Sequence, residues 1–424
     1  MEERGTRRGA WAALALLTAI YALNFADRQL IAVALDPIRI ELGASDAQMG
    51  WLTGTAFALF YSVAGIPLAR VADRGHRWRL LAGGLALWSV LTSLTGAARS
   101  FTSLALARVG VGIGEAACTP PAHALISGFF AARKRATAIA IYSAGIFAGF
   151  YLAYDAGGWM CKHWGWRSAF VAFGAPGIVL ALVAAFVMRE VEVPRASRTA
   201  PRTLAEIREL LALPAFRHVA LGAGIKSIAG YGLATWVPTF LGRVHGLDPA
   251  ESGAWLGPIF GVGGALGTLG GGWLADRLGR ERPAWRLRSA AIATLLSLPC
   301  LYAFLFASES RTALLWYAPA SILGAMYLGP AFALAQDLVR PERRALSSAT
   351  LLFLVNVIGM GLGPWLVGVT SDALAPRHGD AALRWSLAIV VLSYAWGAFH
   401  MLRASSYAVT ARNESPGASP AART

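Results

Sequence analysis

Apolar residues run along this chain in long blocks, and short charged segments separate the blocks. Each block holds about 20 or more residues, the length that an α-helix needs to cross a ~30 Å hydrocarbon layer. Because a backbone inside lipid must satisfy its own hydrogen bonds, these blocks predict transmembrane helices. We predict twelve spans, at residues 11–35, 47–71, 78–98, 101–128, 134–158, 167–189, 214–240, 250–275, 286–307, 311–337, 344–371 and 384–403.

The composition agrees with a membrane protein. Of the 424 residues, 56% are hydrophobic and 14% are charged, whereas an ordinary soluble protein has about 25% charged residues. The first block is too long, and too polar at its C-terminal end, for a cleaved signal peptide, so we expect it to remain as a helix. The fold class that follows is an all-α membrane protein.

The basic residues are distributed unevenly between the two predicted faces. Of the 38 Lys and Arg residues, 27 fall at the N-terminus, in the loops after even-numbered spans, in the central linker and in the tail, while 8 fall in the other loops. The positive-inside rule then predicts a multi-pass protein of the cell membrane with both termini in the cytoplasm. This distribution accounts for the net charge of +15 without nucleic acid as a partner. The remaining three, Arg28, Arg108 and Lys226, lie inside predicted helices.

The two halves of the chain repeat the same short motifs at corresponding positions. Ala-Asp-Arg follows the second span as Asp73-Arg74 and the eighth as Asp276-Arg277, about 203 residues later. A second match, Arg135-Ala136 with Arg344-Ala345, has an offset of about 209. We therefore predict two six-helix bundles, residues 1–189 and 214–405, joined by a cytoplasmic linker, residues 190–213.

The linker and the tail have different compositions. "TLAEIREL" places Thr203 three residues before Glu206, which predicts a capping box and a short amphipathic helix along the membrane surface. Residues 406–424 are rich in Ser, Ala and Pro, which predicts a disordered tail. The three cysteines have no metal-type spacing, so we expect neither a metal site nor a cofactor.

Asp27 and Arg28 stand side by side inside the first apolar block. On the membrane-insertion scale, two central charges cost roughly 6 kcal/mol, whereas about ten large apolar residues return roughly 4.5. This helix therefore cannot face lipid all round, and the two charges must find partners inside the protein. Asn24, one turn earlier, is within hydrogen-bonding reach of either.

The fourth span offers charges of both signs. Arg108 and Glu115 are seven residues apart, so they lie on nearly one face of a helix. Pro120-Pro121 predicts a bend just after them, and His123 is a cavity candidate or an ordinary packing histidine. The four charges of spans one and four could form a static packing network, but ionisable residues inside a membrane are functional candidates first.

One loop resembles a superfamily signature. "GGWLADRLGR" is similar to the major facilitator loop motif, Gly-x-x-x-Asp-Arg-x-Gly-Arg, and the first-half copy departs from it with an alanine in place of the first glycine. The resemblance implies the major facilitator fold, in which this loop packs at the cytoplasmic junction between the halves. It implies gating roles for Asp73, Arg74, Asp276, Arg277 and Arg280.

Longer motifs resemble the spinster family of major facilitator transporters. They are "NFADRQ", "RVGVGIGEAACTPPAHALI", "YGLATWVPTFLGRVHGL" and "NVIGMGLGPWLVGVTSD", and the resemblance covers nearly the whole chain. It implies transport of lipid-like amphiphiles, such as lysophospholipids and sphingoid phosphates, coupled to protons in bacterial members. By this resemblance Asp27 and Glu115 become the protonatable acids, and Arg28 and Arg108 their partners or the ligands of an anionic headgroup.

The second half carries fewer polar candidates. Lys226 is its one central positive charge and is a candidate for headgroup binding. Asn356 is a candidate for the cavity and for substrate binding, because a lone amide in an apolar run needs a partner. Asp155, near the external end of the fifth span, lies outside the motifs and is open between the rim and the cavity. The remaining helices are apolar, which suits an amphiphile with its headgroup toward the first half.

Two alternatives remain beside a proton-coupled transporter of anionic amphiphiles. The first is a proton-coupled symporter of small organic anions or sugar acids. The second, from another class, is a membrane-embedded lipid enzyme, but the chain has neither Gly-x-Ser-x-Gly nor His-Glu-x-x-His, and no Walker sequence for a primary pump. We therefore expect no enzyme activity. The expected partners are an anionic substrate, protons and membrane lipids, with the chain acting as a monomer.

Overall fold

The computed structural model describes residues 2–73, 75–187, 203–280, 282, 284–340 and 343–413. Its described residues form helices joined by short turns. Six helical stretches are apolar enough and long enough to cross a membrane, and two of them, Arg133–Phe186 and Arg344–Tyr407, extend over 54 and 64 residues, enough for two crossings each.

The described helices form twelve spans, as the sequence predicts. Spans one to six are Glu2–Val33; Asp46–Trp51 with Leu52–Ala56 and Phe57–Asp73; Arg77–Thr95; Phe101–Glu115 with Thr119–Phe129; and Ala132–Val187, which joins spans five and six across a kink at Gly165. Spans seven to twelve are Pro214–His245; Pro249–Pro258 with Ile259–Gly263 and Gly264–Gly279; Ala284–Phe306; Ser310–Ala325 with Leu328–Asp337; Arg344–Leu354 with Val355–Met360 and Gly361–His378; and Ala382–Val391 with Ser393–Asn413.

The spans end on two faces, which we name by their charge. The arginine-rich face holds the ends at Asp73, Phe129 and Asp337 and the linker helix; the arginine-poor face holds the turns at Asp46 and Arg243.

Apolar packing between the halves is most extensive at one face. One core cluster includes residues of both halves, such as Leu30 and Tyr154 with Trp236 and Val367, and it lies toward the arginine-poor face. The rest of the described core divides into two further clusters, one of first-half residues around Trp88 that also includes Met360, and one with no described residue of the first six spans. The halves therefore converge at the arginine-poor face, where burial of apolar area holds them together.

The linker helix runs over Thr203–Ala212 and belongs with the second half. Leu210 is buried in the core cluster of the second half, and Glu209 pairs with Arg343 at 2.8 Å on the surface. The capping box predicted at Thr203 lies outside the described residues, because the side chain of Thr203 is not among them. The last helix continues to Asn413, into the segment for which the composition predicts disorder, and residues 414–424 lie outside the described part.

Candidate functional site

The first span packs closely against the fifth span of its bundle. Gly145 and Gly149 of the fifth span face it so closely that a Cβ on Gly149 would overlap with the carbonyl of Ala22. This close approach places Asp27 in the bundle centre, where it is 1% exposed. Helix packing therefore keeps Asp27 away from lipid, as the sequence predicts.

The fourth span is broken directly after Glu115. Its first helix ends at Glu115 and its second begins at Thr119, so the bend that Pro120-Pro121 predicts lies at residues 116–118. Pro has no backbone N–H, which removes the donors that a continuous helix would use here. The carboxylate of Glu115, fully buried, thus lies at the C-terminus of a helix, where a negative charge is unfavourable unless it is paired.

Arg28 supplies that pair. Its Nε and Nη2 donate to Oε2 of Glu115 at 3.1 and 2.7 Å, and Nη2 also donates to Oδ1 of Asn24 at 3.3 Å. The guanidinium lies about 5 Å from the ring centroids of Phe57 and Tyr61. With 11% of its side chain exposed, Arg28 is more open than Glu115. This is a charge-assisted pair held in an aromatic surround.

Asp27, beside Arg28 in sequence, has a different environment. Thr92 donates to its Oδ2 at 3.2 Å, while Oδ1 has no hydrogen bond of normal geometry among the described residues. The described Lys and Arg side chains make no ion pair with it. A buried carboxylate in that situation is costly, and a proton removes most of the cost.

Arg108 is buried with few partners. Its Nη1 donates a long hydrogen bond, 3.4 Å, to the backbone carbonyl of Asp27, and its guanidinium lies 5.5 Å from the ring of Phe57. Its Nε and Oε1 of Glu115 both lack hydrogen-bond partners among the described residues. The four charges predicted from spans one and four therefore do come together, with one firm ion pair, while Asp27, Arg108 and Glu115 each keep one atom without a described partner.

Two second-half residues meet this cluster. Tyr231 packs against the cores of both halves, and it is near enough to Arg28 to interact electrostatically. Its hydroxyl donates a long hydrogen bond, 3.5 Å, to Oδ1 of Asn356, which lies in the π-helical segment Val355–Met360. Arg28, Tyr231 and Asn356 thus mark a polar path across the junction of the halves.

The other predicted residues lie apart from this path. His123 is exposed and stands edge-on to Tyr142, with ring centroids 5.5 Å apart. Lys226 is buried inside the second bundle, where its Nζ donates to the carbonyl of Gly324 at 2.5 Å. Asp155 lies against Gly257 of the eighth span.

A cluster of ion pairs between the halves at the arginine-poor face, which we call the gate, was not foreseen in the sequence. Arg243 of the seventh span forms ion pairs at 2.7 Å with both Asp36 and Asp46 of the first half. Ser371 donates to Asp46 at 2.7 Å, and Asp372 accepts from two backbone N–H groups at the start of the second span. The signal was present in the sequence as acids around a capping box at Ser45, but we counted Arg243 only as a loop charge.

The electrostatics of this gate favour ionised acids. Burial raises the pKa of Asp46, which precedes the apolar block 47–71, but hydrogen bonds from Arg243 and Ser371 and the charges of Arg243 and Arg39 more than offset it. The pKa of Asp46 therefore lies below its ordinary value. The described hydrogen bonds and ion pairs between the halves all lie on this side of the molecule.

The motif loops at the arginine-rich face are only partly described. Asp276, Arg277 and Arg280 are exposed, and Arg277 lies 5.5 Å from the ring of Trp273 within its own helix. The side chain of Asp73 and all of Arg74 lie outside the described residues. The gating role of these five residues stays a prediction.

The chain matches known proteins over most of its length. The model of the Major Facilitator Superfamily matches residues 17–364. An "MFS-type efflux pump" of Mycolicibacterium smegmatis is 39% identical and covers 92% of this chain and 91% of its own length. "Protein spinster homolog 1" of Homo sapiens is 30% identical over 85% of this chain and 73% of its own length. The "Probable L-galactonate transporter" of Escherichia coli is 28% identical over 78% and 74%.

A solved structure agrees with the whole architecture. It is a bacterial homologue of the human lysosomal transporter Spinster in an "Inward-facing And Unoccupied Conformation", with a TM-score of 0.86 and 32% identity over 95% of this chain and 98% of that one. The agreement extends over both bundles and confirms the fold and the resemblance expected from the motifs. The chain belongs to the Major Facilitator Superfamily of membrane transporters and, within it, to the spinster family.

Proposed function

We propose that this transporter moves an amphiphilic anion of the lysophospholipid or sphingoid-phosphate class across the cell membrane, coupled to protons. The observation that carries the proposal is the unequal treatment of two buried acids. Glu115 is paired with Arg28, whereas Asp27 has Thr92 as its hydrogen-bond donor and no described cation in ion-pair contact.

The proton sites are Asp27 and Glu115. In the conformation described, Asp27 is the acid that a proton stabilises most, because a neutral carboxyl group needs no counterion in a buried site. Glu115 is paired with Arg28 through Oε2 and becomes available to a proton when that pair separates. A conformational change that alters either distance would load or release a proton.

Arg28 is the headgroup ligand in this proposal. An anion that reaches the junction of the halves competes with Glu115 for the guanidinium, and a proton on Glu115 removes the competitor. Arg108, with its unpartnered Nε, is the second cation that an anionic headgroup can reach. Asn24, Tyr231 and Asn356 supply neutral hydrogen bonds around the same space, while His123 lies apart from it.

The rest of the junction suits an acyl chain. Beyond Tyr231 and Asn356, the second-half spans that face the first half are largely apolar, so charge is concentrated on one side of the junction. This asymmetry favours a molecule with one charged and one apolar end. The name of the M. smegmatis relative supports movement out of the cell.

The charge distribution supports the orientation. We propose that the arginine-rich face is cytoplasmic, because it holds most of the basic residues. The closed gate at Arg243 is then external, and the conformation is inward-facing, like the similar Spinster homologue.

Purified protein in liposomes tests the proposal. Lysophosphatidylglycerol should be transported and should produce a pH change in the lumen, which a trapped pH dye reports. Asp27→Asn and Glu115→Gln should both abolish the pH change, whereas Asp380→Asn, an exposed acid at the arginine-poor face, should leave it intact. Full coupling in both site variants would contradict the proposal.

Small organic anions are the second candidate substrate class, and the similarity to a probable L-galactonate transporter favours them. The hydroxyl and amide groups of Tyr61, Tyr231 and Asn356 near Arg28 could hold a hydroxylated carboxylate. Competition decides between the classes: excess L-galactonate should displace bound lysophosphatidylglycerol poorly if the amphiphile is the substrate, and efficiently if sugar acids are.

A further inference from the structure

The tenth span is broken at the position that corresponds to the break in the fourth. Its first helix ends at Ala325 and its second begins at Leu328, with Met326 and Tyr327 between them. The repeat offset of 209 residues aligns Glu115 with Gly324 and Pro121 with Pro330. Both breaks therefore have the same cause, a proline whose missing N–H leaves carbonyls of the preceding turn without their helical donor.

A cation from the first span of each half reaches the break in that half. In the first half, Arg28 pairs with the side chain of Glu115. In the second half, Lys226 donates to the backbone carbonyl of the aligned residue, Gly324. Carbonyls at a helix C-terminus carry partial negative charge, so an ammonium group is well placed there.

The surroundings of Lys226 hold it in place without a carboxylate partner among the described residues. Its Nζ lies 4.1 Å from the ring centroid of Tyr327 and 4.5 Å from that of Tyr394. Gly397 of the twelfth span faces its Cβ at a distance that leaves no room for a larger residue. Spans seven, ten and twelve therefore enclose this side chain, away from the junction of the halves.

The next residue holds the other side of the break. Ser227 donates its hydroxyl to Ala223 at 2.6 Å, so the 2.8 Å hydrogen bond between Ser227 and Tyr327 is donated by the tyrosine. Tyr327 is the residue that precedes the helix Leu328–Asp337. Two consecutive residues of the seventh span thus bind the end of one helix and the start of the next.

We propose that Lys226 and Ser227 clasp the break in the tenth span and set the equilibrium between the two conformations of the transporter. Leu328–Asp337 belongs to the second-half core toward the arginine-rich face, a cluster that contains no described residue of the first six spans. Closure of that face requires this helix to move toward the first half, and the break is the point about which it can turn. The clasp stabilises the turn angle seen here, with the arginine-poor face closed.

This role makes Lys226 a positioning residue. The inference rests on the family-level activity of alternating access, not on the substrate or the proton coupling proposed above. The prediction that Lys226 binds a headgroup remains the competing interpretation, and it makes a different forecast: its loss would weaken substrate binding without changing the resting conformation.

Spin labels across the arginine-rich face test the proposal without a substrate. Cysteines placed at the exposed positions Arg133 and Arg340, with Cys161 and Cys300 replaced by Ser, report the distance between the halves. Lys226→Met should move the distance distribution of the ligand-free protein toward shorter values, and Lys226→Arg should keep most of the original distribution. A parallel titration with lysophosphatidylglycerol should give a dissociation constant within about twofold of the parent.

Tyr327→Phe supplies a second test, because it removes the hydrogen bond to Ser227 and keeps the buried ammonium and the ring beneath it. It should shift the distances in the same direction by a smaller amount, even if Lys226→Met fails to fold. The proposal would be overturned if the distances are unchanged in both Tyr327→Phe and Lys226→Met. It would also be overturned if they are unchanged in Tyr327→Phe and Lys226→Met fails to fold. Unchanged distances with a tenfold weaker dissociation constant in Lys226→Met would assign Lys226 to headgroup binding.

Discussion

The breaks in the fourth and tenth spans are alike in backbone and different in chemistry. Each follows the same repeat position and lies beside a proline, but Arg28 meets the carboxylate of Glu115, while Lys226 meets the carbonyl of Gly324. A carboxylate can take a proton and release its cation. A backbone carbonyl cannot take a proton. Both halves therefore have the helix break, but only the first half has a titratable carboxylate, that of Glu115, as the partner of the cation.

The difference also separates two functions that are easily confused. Buried charge in the first half is arranged so that several polar atoms remain unsatisfied, which suits groups that change partners. In the second half the ammonium group has a hydrogen bond and two aromatic rings, which suits a fixed contact. We therefore place proton chemistry in the first half and control of the helix break in the second.

The largest expected effect comes from breaking the first-half pair. Glu115→Gln keeps the shape and leaves Arg28 buried without its counterion, which costs about 3–5 kcal/mol of stability when one member of a buried pair is removed. We expect a lowered midpoint of thermal unfolding and loss of substrate-driven pH change. Glu209→Gln, which breaks the exposed pair with Arg343, is the control and should change neither; equal effects in both variants would contradict the comparison.

Asp27→Asn should separate coupling from stability. Because Asp27 makes no ion pair with a described cation, its neutral isostere should cost at most about 1 kcal/mol or should stabilise the protein. Transport-driven pH change should nevertheless be lost. A fall in thermal stability as large as that of Glu115→Gln would show that Asp27 is held as a charged partner, contrary to the geometry described.

The gate at the arginine-poor face sharpens the comparison, since it joins the halves through charge but lies far from both breaks. Arg243→Gln removes both ion pairs to the first half, and we expect roughly tenfold faster alkylation of a cysteine at Thr55, which packs against the second half below the gate. Lys162→Gln removes a more exposed pair at the same face and should have a much smaller effect. Equal rates in both variants would mean that apolar packing alone closes this face.

Acidity at the arginine-poor face should loosen the gate. The pKa of Asp46 is lower in the closed state than in a state that has lost Arg243, so closure is favoured while Asp46 is ionised and loses this contribution as the pH falls through that depressed pKa. Because only the thiolate is alkylated, the rate at Thr55→Cys must be divided by the rate of a fully exposed reference thiol at the same pH. This ratio should rise in acid, and Asp46→Asn should remove most of its pH dependence. A normalised rate that rises on the alkaline side would have the wrong sign for this group.

Sequence reasoning reached the fold and the first-half site because both follow from strong local costs. Twelve apolar blocks can only be helices in lipid, and Asp27-Arg28 inside one of them demands buried partners. The partner of Arg28 could not be chosen between Asp27 and Glu115, because helix rotation and the break after Glu115 decide it. The bend was foreseen from Pro120-Pro121, but its counterpart in the tenth span was not.

The gate and the clasp could not be predicted from the sequence, because each depends on residues far apart in the chain. Arg243 and Asp46 are ordinary loop charges until the halves converge, and their pairing is a property of one conformation. Lys226 stood out as a central charge, and the sequence suggested a ligand for it. Its contacts with Gly324, Tyr327 and Tyr394 arise from the packing of three spans whose rotation no local pattern specifies.

The most direct test of the central claim measures protons that the solubilised protein exchanges when substrate binds. Lysophosphatidylglycerol added to weakly buffered protein should change the signal of a pH dye in the parent and in Lys226→Arg. The signal should disappear in the double variant Asp27→Asn, Glu115→Gln. A full signal in that double variant, or its loss in Lys226→Arg at unchanged affinity, would place the proton chemistry outside the first half and contradict the account.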